Sequence, residues 1–228
     1  MRPVERGAAP RIFAAYGDAI GDLEARLGNY CSYCERRFTI SLAVEHIVPK
    51  SRQPQLETEW TNFLLGCLNC NSVKGKKLVK VENFLWCDRD NTFLAFTYSE
   101  GGFVRLADNL NVDQKAKAQA LLDLIGLQRH QATGWKKPTR RDKRWKDREE
   151  VWTIAEKCRD IFIAQSENNQ TKELVLQVAQ GYGFFSVWMT VFDAYSNVKK
   201  ELIQLFTGTA TSCFDQNGKP IGRQNGII

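Results

Sequence analysis

Four cysteines arranged in two pairs are the first residues whose type and spacing suggest chemistry. Cys31 and Cys34 form one Cys-x2-Cys pair, and Cys67 and Cys70 form another. Thiolates on two tight turns are the soft ligands that hold zinc tetrahedrally in proteins. One such pair alone could equally be a redox dithiol, but two pairs in one short segment favour a metal. With all four positions filled by protein, the predicted zinc is structural, and its binding energy contributes to folding.

A carboxylate beside a histidine lies between the two cysteine pairs. Glu45 and His46 end a short apolar strand, and Asn62 enters a second one. Phosphodiester hydrolysis needs an activated water, and His46 is the predicted general base because imidazole titrates near neutral pH. Asn62 could hold the ring, because a side-chain or backbone carbonyl that accepts a hydrogen bond from Nδ1 would leave Nε2 free for water.

Hard oxygen ligands and a lysine complete this group. Glu45 and Asn71 carry the oxygen donors that Mg²⁺ or Mn²⁺ prefers, and such an ion could neutralise a phosphate and assist the leaving oxygen. Lys74 follows Asn71 by about one helical turn and is predicted to meet a phosphate. The order of elements is strand, loop, strand, helix.

This order of motifs resembles the HNH, or ββα-metal, endonuclease family. The resemblance implies a general base at His46, an orienting role for Asn62, and metal ligands at Glu45 and Asn71. Glu45 stands where aspartate is commoner, and Asn71 stands where a second histidine is expected. These two departures bear on the metal geometry more than on the reaction. The alternative to a nuclease is a zinc-dependent nucleic-acid-binding module without chemistry.

Weaker motifs outside this core resemble the HNH nucleases of bacterial phage-defence systems of the Septu and retron types. They are residues 1–7, 90–92, 183–188 and 206–215. The resemblance implies an effector that acts with an ABC-type ATPase subunit.

A basic tract with two tryptophans runs from Trp135 to Arg148. It could neutralise phosphates while the indoles stack on bases, or it could dock the ATPase. It could also be only a solvated helix face whose tryptophans belong to the core. The predicted nucleic-acid-binding residues, here and beside the second cysteine pair, are Lys74, Lys76, Lys77, Lys136, Lys137, Arg140, Arg141 and Arg144.

The hydrophobic pattern predicts an α+β fold: a zinc-stapled ββα-metal core with a small antiparallel sheet and a mostly helical C-terminal lobe. Residues 1–29 should form a surface arm and a helix from Arg11, and residues 30–82 the nuclease core. Residues 83–150 should hold the sheet, a helix over 111–127 and the basic tract. The lobe, 151–228, should hold helices over 149–165 and 197–206. Its apolar segment 174–192 should be core or, alternatively, a docking surface. Three strands are expected, at 84–86, 92–98 and near 103–105.

Composition narrows the class of protein. The chain has 228 residues and a formal charge of +6, which fits an anionic partner without proving one. Seven cysteines are an odd number, and the first residues lack a secretory signal pattern, so we expect a cytoplasmic location with reduced thiols. No membrane span is predicted, because glutamines and glycines interrupt the longest apolar segment. DNA is the expected substrate, with RNA such as tRNA as the alternative.

Overall fold

The segment with the chemical residues folds as two antiparallel strands followed by a helix. The computed structural model describes residues 1–40 and 42–228. Strand β1, Leu42–His46, pairs with β2, Phe63–Cys67, so that Glu45 lies opposite Leu64 and His46 opposite Phe63. Helix α2, Leu68–Lys74, starts directly after β2. All of β2 is buried, as its continuous apolar sequence predicts.

The N-terminal helix is shorter than its apolar spacing predicted. A 3₁₀ turn at Tyr16–Ala19 leads into α1, Ile20–Leu27, and Gly28 ends the helix as expected. The expected start at Arg11 is wrong, and Ile12 is 96% exposed. The physical reason is local: the Asp18 carboxylate accepts a hydrogen bond from the Ala15 amide at 3.1 Å and caps the turn there.

The first residues are not a surface arm. Met1 to Val4 are buried, and Val4 forms a bridge with Thr209. The Arg2 guanidinium donates hydrogen bonds to the carbonyl oxygens of Leu27, Phe206 and Thr207. The segment therefore ties α1 to the C-terminal residues inside the chain. This corrects the expectation of a surface arm for residues 1–4, whereas residues 7–10 are exposed.

The small sheet has two strands rather than three. Residues 84–86 form no strand, and residues 92–95 form a short helix, α3, Thr92–Ala95. The Asn91 side chain accepts a hydrogen bond from the Phe93 amide, and this cap selects the helix over a strand. The sheet pairs β3, Phe96–Ser99, with β4, Phe103–Leu106.

The C-terminal part is helical, as predicted. Helix α4, Val112–Ile125, is capped by Asn111 and ends at Gly126 in the left-handed conformation. The basic tract is irregular up to Lys143, and α5 begins at Arg144, earlier than expected. The remaining helices of the lobe are α5, Arg144–Ala164; α6, Asn169–Tyr182; α7, Phe185–Val191; and α8, Ser196–Leu205.

The apolar segment 174–192 is divided by Gly183 into parts of α6 and α7. Phe184, Phe185, Trp188 and Phe192 are all buried and belong to the core, whereas Leu174 and Tyr182 in the first part of the segment are exposed. Among residues 1–40 and 42–228, no helix is both long and apolar enough to cross a bilayer.

Gly183 generates the first testable prediction. Its φ is +79°, and a Cβ there would lie 2.6 Å from the carbonyl oxygen of Glu35 and 2.7 Å from the Arg37 amide. Gly183→Ala should therefore push the first cysteine turn away from α7 and lower the free energy of unfolding by about 2 kcal/mol or more. Urea denaturation measures this effect.

Gly181→Ala is the matched control. Gly181 lies in α6 with no atom within 4 Å of the added Cβ, so alanine should be neutral or stabilise by up to about 1 kcal/mol. Equal effects of the two changes would contradict the proposed contact.

Candidate active site and metal centre

The four paired cysteines lie together in the folded chain. Their sulfur atoms are all within 4.8 Å of one another, and Cys34 Sγ lies 3.7 Å from Cys67 Sγ. A tetrahedron with zinc–sulfur bonds of about 2.3 Å has sulfur–sulfur edges of about 3.8 Å. Cys31, Cys34, Cys67 and Cys70 therefore fit a tetrathiolate zinc ion. No other cluster of three or more His, Cys, Asp or Glu ligands occurs among the described residues.

Local backbone geometry aims these thiols. The first pair is on a turn closed by Glu35, whose φ of +65° is unusual for a residue with a side chain. The second pair spans the end of β2 and the first turn of α2. The Cys67 amide donates to Cys31 Sγ at 3.3 Å, and Arg144 Nη1 donates to Cys70 Sγ at 3.1 Å. Burial raises the pKa of the Cys70 thiol well above its usual range, as expected without a bound cation.

A cleft of about 440 Å³ adjoins this centre. Glu45, His46, Asn71 and Lys74 all line it, so one surface holds the predicted base and both predicted oxygen ligands of a catalytic ion. Cys70 and Asn71 are consecutive in α2, which connects the cysteine cluster directly to the cleft.

The His46 ring is held by the backbone. Its Nε2 lies 2.9 Å from the carbonyl oxygen of Glu57, and since a carbonyl only accepts, Nε2 carries the proton. The expectation that Nε2 would be free is therefore wrong, and Nδ1 has the available lone pair. Burial lowers the pKa of His46, and the cations Lys50 and Lys74 lower it further. The neutral form needed for a base is thus favoured.

Asn62 acts on the loop rather than on the histidine ring. Its Oδ1 accepts from the Val48 amide at 2.8 Å, and its Nδ2 donates to the carbonyl oxygens of Val48 and Leu56. The predicted direct contact with His46 is therefore absent. Asn62 instead fixes both ends of the loop that carries the Glu57 carbonyl, so it orients His46 through the backbone.

Glu45 and Lys74 form a buried ion pair at the wall of the cleft. Lys74 Nζ lies 2.7 Å from Glu45 Oε1 and donates to the carbonyl oxygen of His46 at 2.6 Å. Burial raises the pKa of Glu45, and the Lys74 ammonium opposes that shift. Lys74 is only 2% exposed, which corrects its assignment to a substrate phosphate. Gly66 provides the space, because a Cβ there would lie 2.9 Å from Glu45 Cβ.

The donor set also fits a hard divalent ion. Mg²⁺ usually keeps several waters and takes only one or two protein carboxylates. Glu45 offers a carboxylate and Asn71 an amide oxygen at the same cleft. These are the two residues that would hold the ion. The Lys74 ammonium already balances the Glu45 charge, so ion binding must tolerate that pair or displace it.

The eight predicted nucleic-acid-binding residues divide into exposed and buried groups. Lys74 and Arg144 are buried, and the assignment of Arg144 to nucleic acid is corrected because its guanidinium contacts Asp142, Cys70 and backbone carbonyls. The exposed six are Lys76, Lys77, Lys136, Lys137, Arg140 and Arg141. Burial lowers the pKa of Lys77, and the nearby cations Arg129 and Lys136 lower it further.

Several site residues escaped sequence analysis. Tyr16 meets the His46 ring edge to face at 5.1 Å, and the Lys50 ammonium lies 3.9 Å from the Tyr16 ring centre. Lys50 also pairs with the Glu57 carboxylate at 2.7 Å. A backbone carbonyl such as that of Glu57 leaves no signal in residue types. The second histidine, His130, is also buried, and its ring nitrogens face the carbonyl of Gly101 and the amide of Ala132.

Comparison with known proteins assigns this region to a family. Residues 31–77 match the HNH endonuclease family. A stretch of 50 residues is 42% identical to the Septu protein PtuB of Bacillus thuringiensis. That alignment covers 21% of this chain and 20% of PtuB, so the likeness is distant and local. The matches confirm the predicted HNH domain and the resemblance to a Septu protein.

The orientation of His46 generates a prediction that needs no substrate. Long-range ¹H–¹⁵N spectra should show its neutral ring protonated on Nε2, and Asn62→Ala should mix the two tautomers because the loop carrying Glu57 loosens. His130 is the internal control: its Nε2 faces the Gly101 carbonyl and its Nδ1 accepts from Ala132, so its signals should not change. An Nδ1-protonated His46 in the unaltered protein would contradict the geometry.

Proposed function

We propose that the HNH endonuclease domain of residues 31–77 makes this chain a divalent-metal-dependent endonuclease that hydrolyses phosphodiester bonds in nucleic acid. One observation carries the proposal: a backbone-held His46 shares a cleft with Glu45 and Asn71. DNA is the proposed substrate and RNA the second to test. A zinc-dependent binding module without chemistry would not need a histidine oriented in this way.

The side chains have separate roles in the proposed reaction. His46 Nδ1 takes a proton from the attacking water, while the Glu57 carbonyl keeps the ring in place through Nε2–H. Glu45 and Asn71 would hold the catalytic ion, which would supply charge neutralisation at the phosphate and the leaving oxygen. Lys74 fixes the Glu45 carboxylate and the His46 carbonyl together, so the ligand and the base keep their relative position.

The metal centre has a structural role in this proposal. Zinc would be held by Cys31, Cys34, Cys67 and Cys70, all of them buried, and its closed coordination leaves no position for substrate. It would fix the first turn of α2 against the end of β2, and that turn carries Asn71.

The exposed cations beside the cleft suit a polyanion. Lys76 lines the cleft, and Lys77 and Lys136 lie near Arg129 outside it. Lysine and arginine side chains bind phosphates without reading sequence, so we propose that this surface holds the nucleic acid backbone.

The biological setting is proposed from the likeness to PtuB, described as a Septu protein. We propose that this chain is the effector of a bacterial anti-phage system, that it acts in the cytoplasm, and that an ABC-type ATPase subunit is its partner. Co-purification with the product of a neighbouring ATPase gene would support the partnership.

Replacing the base tests the proposed reaction. With Mg²⁺ or Mn²⁺ added, the unaltered protein should cleave nucleic acid, and His46→Ala should lower the rate by about 10²–10⁴-fold while zinc content stays the same. Glu45→Gln should mainly raise the Mg²⁺ concentration required, since it removes the charge but keeps an oxygen. Gln53→Ala, an exposed change in the same loop, is the control. Undiminished cleavage by His46→Ala would refute the assigned base.

Neutralising the basic tract tests the binding surface. The combined change Lys136→Gln, Arg140→Gln and Arg141→Gln should weaken nucleic acid binding whatever the base sequence. The slope of log binding constant against log salt concentration should become shallower by about 0.9 per lost phosphate contact. The control removes three exposed charges elsewhere, at Lys157, Lys200 and Lys219, and should bind normally.

The same triple variant distinguishes the two roles of the tract. Loss of the ATPase partner with unchanged nucleic acid affinity would assign the tract to docking. Behaviour equal to the control in both assays would mean that the tract is only a solvated face.

A further inference from the structure

A zinc ion with four thiolate ligands carries a net charge of roughly −2. In this chain that charge would be enclosed, because Cys31, Cys34, Cys67 and Cys70 are each at most 2% exposed. Water cannot reach such a centre to stabilise it, and a buried charge without a partner is costly. The surrounding protein must therefore supply hydrogen bonds or a cation.

Arg144 is the cation in contact with this centre. Its Nη1 lies 3.1 Å from Cys70 Sγ, and the residue is 1% exposed. Among the hydrogen bonds of the described residues, no other guanidinium or ammonium group donates to these four sulfur atoms. The backbone amide of Cys67, which donates to Cys31 Sγ, adds a second, neutral contact.

The guanidinium is held rigidly in this position. Asp142 accepts from Nε at 2.8 Å and from Nη2 at 2.7 Å, which sets the plane of the group. The carbonyl oxygens of Ile125 and Gly126 accept from Nη1 and Nη2. With the bond to Cys70, all five N–H donors are used. A lysine, with a flexible stem and no planar fork, cannot reproduce this arrangement.

We propose that Arg144 is the positioning residue and counter-cation of the tetrathiolate zinc centre, linking that centre to the end of α4 and the start of α5. The proposal rests on the zinc site put forward above and extends it to a residue 74 positions along the chain from Cys70, the nearest of the four ligand cysteines. Zinc occupancy then governs the position of the basic tract, because Asp142 and Arg144 lie in its C-terminal half.

The competing explanation is that Arg144 only staples two helices. Arg148 distinguishes the two explanations. It lies one turn further along α5 and is equally buried, but it donates to the carbonyl oxygens of Gly102 and Leu127 and to no thiol.

The experiment measures zinc affinity by chelator competition in Arg144→Met, Arg144→Lys, Arg148→Met and the unaltered protein. Arg144→Met should raise the zinc dissociation constant about tenfold or more, Arg144→Lys by less, and Arg148→Met not at all. Cobalt substitution adds a spectroscopic readout: losing the hydrogen bond to Cys70 Sγ should shift the thiolate-to-cobalt charge-transfer band in both Arg144 variants only.

Two results would overturn the proposal. One is an unchanged dissociation constant and band in the Arg144 variants; the other is an equal change in Arg148→Met, which would mean that affinity only follows fold stability. If Arg144→Met does not fold, Arg144→Lys decides by the same two readouts. Absence of zinc from the unaltered protein would refute the metal centre itself, and with it this proposal, whereas loss of nuclease activity alone would leave the Arg144 contact standing.

Discussion

Four buried thiols meeting at one point are the constraint on which the rest of the site depends. Cys67 ends β2 and Cys70 lies in α2, so gathering them with Cys31 and Cys34 fixes where the helix leaves the sheet. Without a cation, burial disfavours thiolates, and the pKa of three of the four thiols is raised. A zinc ion reverses that preference and converts its binding energy into folding energy.

Reactive geometry is then set by buried polar contacts. Asn62 bonds both ends of the loop after β1, and the Glu57 carbonyl on that loop holds His46. Lys74, at the end of α2, holds the Glu45 carboxylate through an ion pair. His46 and Glu45 are thus each oriented by a group other than the one that would act on a substrate. Such support is what a fixed base and a fixed ligand require.

The sequence predicted the features that depend on residue types and their spacing. It did not predict the contacts made by backbone groups or by residues distant along the chain. The cysteine pairs, the strand order and the shared location of His46, Glu45 and Asn71 follow from spacing, because each element is short and local. The helix over 111–127 was predictable because Asn111 and Gly126 cap it. The Glu57 carbonyl, the choice of Nδ1, the burial of Arg144 and the interior course of Met1 to Val4 depend on partners distant in sequence. The side chains of Asp18 and Asn91 each accept one capping hydrogen bond, and these bonds override the helix start and the strand that the apolar pattern predicted.

The claim that one metal centre holds both the nuclease unit and the start of the helical lobe is tested most directly by hydrogen–deuterium exchange before and after zinc is removed with a chelator. Amides of β1, β2 and α2 should lose protection together with those at the end of α4 and the start of α5, because Arg144 contacts Cys70 and the carbonyls of Ile125 and Gly126. Helices α6 and α8 should keep theirs. Unchanged protection in the strands and α2 of the zinc-free protein would contradict the claim.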